Sequence, residues 1–348
     1  MRTPKLSTPT KLSIAAAFKD ARRDKFSSSA FKLPQLLWKS RNGRTILHWI
    51  AYHGKLNLVK PALLYPDNLL LPANDTETPL DRAVQRGFIA QLPNWCLRED
   101  ILTAKHADFY LKCEFTLLHT AASSGTYLAL PVKYRQSKFL SIPTANGITV
   151  LHFLAGTAQF PALPTFTDPA PLLAMDEMKR TPLHALAKSG QLNLISPELL
   201  TPENLSLTDV FGNSPVSLAF EHGFSSQISA DIFQQLDVNV QAKAFMHCAG
   251  MNGTWEPLDP TKLTLEMLKV RDNCGNTILH ELSSENLKSI PDTIIQSLTP
   301  EMLLAQNDNM DTPFERFEYA KSLSVFPPQL VDACRVCQVL GVPESFRD

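Results

Sequence analysis

The chain has 348 residues, of which 33 are Lys or Arg, 34 are Asp or Glu and 44% are hydrophobic. No apolar run approaches the roughly 18 residues of a membrane-spanning helix, and residues 13–18 are too short an apolar stretch for a secretory signal. We therefore expect a soluble chain of the cytoplasm, with no membrane span and with its six cysteines reduced.

The first predicted element is a basic segment, residues 1–40. Residues 1–44 carry a net charge of +9, whereas the rest of the chain carries −10. Residues 13–26 form a predicted amphipathic helix whose outer face holds the basic patch Lys19, Arg22, Arg23 and Lys25. Four interpretations stay open: a polar cap on a repeat array, a targeting segment, a segment that docks on the acidic remainder, and a site for nucleic acid, an anionic membrane or an acidic protein.

A phrase of the form Thr-x-Leu-His returns nine times after the basic segment, in more or less altered copies. The steps between the copies run from 30 to 38 residues, and 33 is the commonest. A near-constant period of this length predicts a stacked repeat protein. The fourth residues of the nine copies are His48, Asp81, His119, His152, His184, Ser217, His247, His280 and Glu315.

The copy at residues 41–73 shows which secondary structure the sequence of one repeat predicts. An Asn-Gly turn comes first, Thr45 then caps an inner helix that reaches His53, and Gly54 ends that helix. An outer amphipathic helix follows. Because a proline such as Pro61 removes a donor and clashes with the preceding turn, we expect the outer helix to split into two short pieces.

The repeat resembles the ankyrin family, whose pattern is a turn, then Thr-Pro-Leu-His, then Ala-Ala-x-x-Gly and an outer helix. Residues 180–190 (RTPLHALAKSG) match this pattern nearly verbatim, and residues 42–54 are almost as close. The chain departs from the family in having 13 glycines against 26 prolines. Its Pro-Glu-x-Leu outer segments, as at residues 300–303, look like those of some bacterial ankyrin proteins.

Histidines and a Cys-x-x-Cys pair are the candidates for catalysis or metal binding. Six of the nine histidines hold the fourth position of the phrase, where we expect them to bond neighbouring backbone and to link adjacent repeats. Successive ones would lie about 10 Å apart, too far to share a zinc ion. Cys334 and Cys337 fall on a predicted amphipathic helix, residues 329–340, and are interpreted as packing residues. We predict no catalytic residue, no metal and no cofactor.

The predicted fold is all-α, an ankyrin-repeat solenoid of about nine helix-turn-helix repeats with caps at both ends. The boundaries are the basic segment and capping helix at residues 1–40, the repeats at residues 41–325 and a C-terminal capping helix at residues 326–348. We expect a monomer.

The predicted function is that of a non-catalytic scaffold that binds another protein. The resemblance implies a partner on the concave surface, at the residue before each Thr and at the pair before each helix-ending Gly. The predicted partner-binding residues are Arg44, Trp49, Tyr52, His53, Glu77, Gln85, Arg86, Phe115, Arg180, Lys188 and Glu221. The alternative is binding of nucleic acid or an anionic surface through the basic segment. Secretion into a host cell as a bacterial effector is compatible with either function and rests on fold analogy alone.

Overall fold

The computed structural model describes residues 36–107, 114–251 and 260–340. The predicted basic patch of Lys19, Arg22, Arg23 and Lys25 lies outside the described residues. The described chain is mostly helical and divides into two compact units. Unit 1 runs to Pro164 and includes Ala174–Glu177, and unit 2 consists of Thr165–Leu173 and the residues from Met178 onward.

Unit 1 alternates inner helices with short outer turns. The inner helices α1, α3, α5 and α7 pack on one another in chain order, and their apolar faces form the core. The helices are α1 (Ile46–Tyr52), α2 (Pro66–Leu69), α3 (Pro79–Gln85), α4 (Glu99–Leu102), α5 (Leu117–Ser123), α6 (Ser137–Leu140) and α7 (Val150–Leu154). Two short strands, β1 (His106–Ala107) and β2 (Glu114–Phe115), pair antiparallel, with His106 opposite Phe115.

Unit 2 repeats this alternation. Helices α9, α11, α13 and α15 pack in chain order, and α19 packs on α15. Its helices are α8 (Ala170–Leu173), α9 (Pro182–Lys188), α10 (Pro202–Leu205), α11 (Pro215–Glu221), α12 (Ala230–Gln235), α13 (Val238–Met251), α14 (Leu265–Lys269), α15 (Ile278–Glu281), α16 (Ser284–Lys288), α17 (Asp292–Gln296), α18 (Pro300–Leu303), α19 (Pro313–Tyr319) and α20 (Pro328–Leu340). Helix α20 matches the helix predicted at residues 329–340.

The recurring phrase forms a reciprocal cap at the start of most inner helices. At α3, the Thr78 backbone N–H donates to the Asp81 carboxylate at 2.9 Å, and the Asp81 N–H donates to the Thr78 hydroxyl at 3.1 Å. At α7, the Thr149 N–H donates to Nδ1 of His152 at 3.0 Å. The fourth position therefore needs a side-chain acceptor, and His, Asp, Ser and Glu all supply one.

The fourth-position histidine also reaches the backbone of the next segment, as predicted. Since Nδ1 accepts from the cap, the other ring nitrogen carries the proton and donates to a carbonyl. The links that the structure describes run from Nε2 of His48 to Glu77 at 3.0 Å, of His119 to Ile142 at 2.9 Å, of His184 to Asn213 at 3.2 Å and of His280 to Asp311 at 3.2 Å. A carboxylate has no N–H to donate, so Asp81 and Glu315 cannot make this bond.

The copy that ends at His247 does not begin a helix. It lies inside the fourteen-residue helix α13, which starts six residues before Ala244. Alanine has no side-chain oxygen and cannot cap a helix, so the expected start at this position is wrong and the helix extends upstream instead.

The outer segments are more broken than predicted. In the first, two 3₁₀ turns (Leu56–Leu58 and Pro61–Leu63) precede α2, so the chain makes three single turns where we expected two pieces. Val59 between the turns is extended, because the prolines of this segment cannot continue a helical hydrogen-bond ladder. The remaining 3₁₀ turns are Ile89–Gln91, Asn94–Leu97, Tyr127–Ala129, Val132–Arg135 and Phe160–Ala162 in unit 1, and Leu192–Leu194, Pro197–Leu199, Ser225–Gln227, Pro260–Lys262 and Leu323–Val325 in unit 2.

In three outer segments, a glutamine side chain from the following segment binds the first 3₁₀ turn. The backbone N–H of Leu56 donates to the side-chain oxygen of Gln91 at 3.1 Å, that of Tyr127 to Gln159 at 2.8 Å and that of Leu192 to Gln227 at 3.0 Å. Each bond satisfies a backbone donor that a single turn leaves unpaired. These bonds therefore join successive outer segments, as the histidines join the inner ones.

Candidate binding surface

Three aromatic side chains lie together on the last turns of α1. Trp49, Tyr52 and His53 are spaced at i, i+3 and i+4, which places them on one helix face. The Trp49 and His53 rings stack with centroids 5.5 Å apart and planes 12° apart, and Tyr52 meets His53 edge-on at 5.1 Å. His53 is exposed and the other two are half-buried.

Arg82 of α3 and Arg86, which directly follows that helix, cover the Tyr52 ring. Arg82 and Arg86 are four residues apart and share the α3 face that meets α1. Their guanidinium carbons lie 5.5 Å and 4.7 Å from the ring centroid, within the range of a cation–π interaction. We call Trp49, Tyr52, His53, Arg82 and Arg86 the Arg–aromatic patch.

A carboxylate pair, Asp75 and Glu77, braces one side of this patch. Arg44 contacts Asp75 at 2.5 Å and Glu77 at 3.3 Å, and Arg82 also forms a salt bridge with Glu77. The two carboxylate side chains are only 18% and 15% exposed, so solvent screens these pairs less than ordinary surface pairs. The two carboxylates thus fix the guanidinium positions of Arg44 and Arg82.

Burial controls the titration of the groups beneath the patch. The pKa of His48 is lowered to about 4, mainly by burial; the bond to the Glu77 carbonyl works against this, and the nearby Arg44 and Arg82 act in the same direction as burial. Burial also raises the pKa of the Glu77 carboxyl, against the pull of Arg82 and Arg44. His48 is therefore neutral at pH 7 and serves as a link between backbone segments.

Most of the predicted partner-binding residues of unit 1 meet in one network. Arg44, Trp49, Tyr52, His53, Glu77 and Arg86 belong to the patch or its brace, and Gln85 hydrogen-bonds Glu77. Sequence reasoning missed Arg82 and Asp75. The signal for Arg82 was present, because it lies one helical turn before Arg86.

Phe115 requires a correction. We predicted that it contacts a partner, but its side chain is only 3% exposed. Its ring packs against Phe153 at 5.6 Å and His119 at 5.4 Å, because β2 leads directly into α5 and turns the ring toward α7. A partner could not touch Phe115 without displacing the core.

The predicted residues of unit 2 do not form a comparable patch. Arg180 and Lys188 are exposed, one just before α9 and the other at its end. Glu221, at the end of α11, lies 4.0 Å from Nδ1 of His247. Burial lowers the pKa of His247, although the Glu221 carboxylate works in the opposite direction.

Unit 2 also contains an open groove of about 1490 Å³ beside α14, α18 and α20. Its walls mix apolar residues with charged ones that have local partners. Glu266 pairs with Lys269 at 3.0 Å, and Glu315 accepts from the Thr312 backbone at 3.2 Å. The groove therefore presents fewer unengaged charges than its composition suggests.

The three buried thiols of the described chain are poor candidates for catalysis. Burial raises the pKa of Cys96 and of Cys248 to about 12 each, and that of Cys334 to about 11. They remain protonated at pH 7, whereas nucleophilic or metal-binding cysteines require the thiolate. Within residues 36–107, 114–251 and 260–340, no three His, Cys, Asp or Glu side chains gather to hold a metal ion.

Comparisons with known proteins do not assign this chain to a family. No protein-family model matches this sequence, and no curated protein matches it either. Across the described residues, no helix combines the length and hydrophobicity needed to cross a bilayer.

Proposed function

We propose that this chain is an ankyrin-repeat protein with Pro-Glu-x-Leu outer segments of the bacterial type. The capped inner helices, the glycines of positive φ that follow several of them and the histidine links support this proposal. So does the packing of inner helices in chain order within each unit. In this arrangement the recurring phrase builds the frame, by which we mean the capped inner helices and the hydrogen bonds that link them. The fourth residue of the phrase caps the helix and, where it is a histidine, also bonds the next segment.

The function that follows is non-catalytic binding of another protein, and the Arg–aromatic patch carries the proposal. Residues from the ends of α1 and α3 converge there, although the chain separates Trp49 from Arg86 by 37 positions. Tyr, Trp and Arg are the residue types that most often dominate binding energy at protein interfaces. Tyr52, His53 and Arg86 hold predicted variable positions, and their grouping favours an interface.

The chemistry of the patch favours binding over catalysis. His48 uses both ring nitrogens for backbone bonds, so it has no free nitrogen to transfer protons. The carboxylates are committed to Arg44 and Arg82. No cysteine, serine or threonine belongs to the patch, and the ring of its one histidine, His53, is stacked on Trp49.

The patch is also ordered before a partner arrives. An arginine side chain loses about 0.5–1.5 kcal/mol of conformational free energy when an interface immobilises it. Arg82 is already held by Glu77 and Tyr52, and Arg86 by Tyr52. Part of that cost is therefore met on folding, which leaves more of the contact energy for affinity.

Site-specific photocrosslinking on the full chain tests this function. A photoreactive residue in place of His53 should give a saturable crosslink to one protein, and unlabelled chain should compete for it. The double substitution Tyr52→Ala with Arg86→Ala should abolish the crosslink. The same label at the exposed Lys60, in the same unit, should give none.

The result that overturns this function is a crosslink unaffected by changing Tyr52 and Arg86. If the captured species is nucleic acid, and if it is lost at raised salt and on changing Lys19, Arg22, Arg23 and Lys25 to Gln, binding belongs to the basic segment instead.

A further inference from the structure

Arg86 differs from the other arginines of the patch in its charge balance. Arg44 and Arg82 each pair with a carboxylate. Across the described parts of the chain, no carboxylate forms a salt bridge with Arg86, whose side chain is exposed. Its guanidinium is nevertheless held 4.7 Å above the Tyr52 ring. The patch therefore offers one exposed cation that is held against an aromatic ring.

An apolar surface lies beside this cation. The stacked rings of Trp49 and His53 contact the Tyr52 ring that carries Arg86. A partner side chain that binds Arg86 would place its neighbours against these rings. The patch thus pairs one charged contact with one aromatic contact a few ångströms away.

The charge of the whole network selects between anions. Three guanidinium groups face two carboxylates, so the net charge is small and Asp75 and Glu77 repel a second negative charge. A protein that binds a phosphodiester backbone neutralises several phosphates with separate cations. One carboxylate needs only one, and a guanidinium binds it in bidentate geometry.

We propose that the partner segment recognised by this patch is acidic, with an Asp or Glu bound by Arg86 and an adjacent aromatic or aliphatic side chain packed on Trp49 and His53. This assignment rests on the proposed protein-binding function and names the chemistry of its partner. The bound carboxylate pairs with Arg86, the one guanidinium of the patch that forms no salt bridge with a described carboxylate.

Three pools of synthetic peptides test this assignment against the full chain. Each pool has random aliphatic or aromatic residues around fixed positions, which are Asp/Glu in the first pool, Asn/Gln in the second and Lys/Arg in the third. We expect the chain to retain the acidic pool at least tenfold better than the neutral pool, since hydrogen bonds to charged groups are the stronger ones. Arg86→Gln and Arg86→Glu should remove this preference. Lys60→Glu, an exposed change away from the patch, should leave it intact.

The outcomes separate the two proposals. Equal binding of the acidic and neutral pools, lost on Tyr52→Ala but unchanged by Arg86→Gln, overturns the acidic assignment and leaves protein binding standing. Retention of a DNA oligonucleotide or of phosphoserine peptides above the acidic pool also overturns it. If no pool binds and the His53 photocrosslink is also absent, the protein-binding function itself fails. Circular dichroism and the urea midpoint of each variant show whether a loss reflects unfolding.

Discussion

Unit 1 and unit 2 place different chemistry at the same position of the same frame. Seven residues after its cap, α1 carries Tyr52 and α11 carries Glu221. In both, a histidine and then a glycine of positive φ follow. Tyr52 supports two arginines, whereas Glu221 faces His247. The cap fixes where the side chain projects, and the residue at that position sets the surface chemistry. The frame and the surface should therefore respond to different substitutions.

Acid should cause the largest loss of stability, because it protonates a buried histidine of the frame. The folded-state pKa of His48 is about 4, below the ordinary value of 6.5, so the unfolded chain binds the proton more readily. The stability that His48 contributes is present above pH 6.5 and is lost as the pH falls toward 4. The loss amounts to about 3 kcal/mol for this histidine, which is 2% exposed.

Urea midpoints at pH 7.5 and 4.5 measure this loss, with the non-titrating variant His48→Gln as the control. The raised pKa of Glu77 acts in the opposite direction, but it is present in both proteins. The midpoint of the parent should fall more with acid than that of His48→Gln. Equal falls would show that His48 is not a neutral link.

Two glycines should show that the frame is the same in both units. Gly54 and Gly190 have φ values of +65° and +70°, and a Cβ would lie 2.5 Å from the Phe88 ring and the Phe224 ring respectively. Strain and overlap together predict a loss of roughly 2–3 kcal/mol for each Gly→Ala change.

Gly125 and Gly223 are matched controls, one in each unit, since both have positive φ and no described atom lies within 4 Å of an added Cβ. Their Gly→Ala variants should lose only about 1 kcal/mol, because backbone strain alone remains. Denaturant unfolding of the four variants checks this. A control as costly as its partner would mean that the contact with phenylalanine is unimportant.

Complete removal of a histidine link should lower the free energy of unfolding by about 2 kcal/mol. His184→Ala leaves the Thr181 N–H and the Asn213 carbonyl without their bonds. His184→Asp keeps an acceptor for the cap, as Asp81 does at α3, and should recover about half of the loss. Urea midpoints compare the two variants. A His184→Asp protein no more stable than His184→Ala would indicate that the cap is unimportant there.

Surface positions should have the smallest effect on folding. Arg86→Ala removes an exposed cation–π contact and should cost less than about 1 kcal/mol, and Glu221→Ala should cost no more. Both variants should melt within a few degrees of the parent in thermal unfolding. Losses as large as those at Gly54 would mean that these residues belong to the frame.

The sequence predicted most inner helices because the signal that starts each helix lies within four consecutive residues. At these starts a Thr or Ser is followed three residues later by a side-chain acceptor, and Ala244, which has no side-chain oxygen, does not start a helix. The linking role of histidine followed from its spacing. The outer segments were harder, since their 3₁₀ turns depend on bonds from Gln91, Gln159 and Gln227 in the following segment.

For the candidate surface, the sequence indicated which residues belong to it but not how their side chains contact one another. Tyr52 and Arg86 were chosen as single variable positions, whereas their stacking depends on how α1 and α3 pack. The same packing brings in Arg82. Phe115 was misplaced because the direction of its ring depends on β2 pairing with β1, a contact that a repeat pattern does not encode.

The histidine links have a consequence for the order in which the chain folds. The bonds of His48, His119, His184 and His280 reach only 29, 23, 29 and 31 residues along the sequence. Contact order is therefore low for a chain of 348 residues, and each segment can dock on the one made just before it. Such a chain can acquire its structure progressively during synthesis, because each of these histidine links can form once about 30 further residues have left the ribosome.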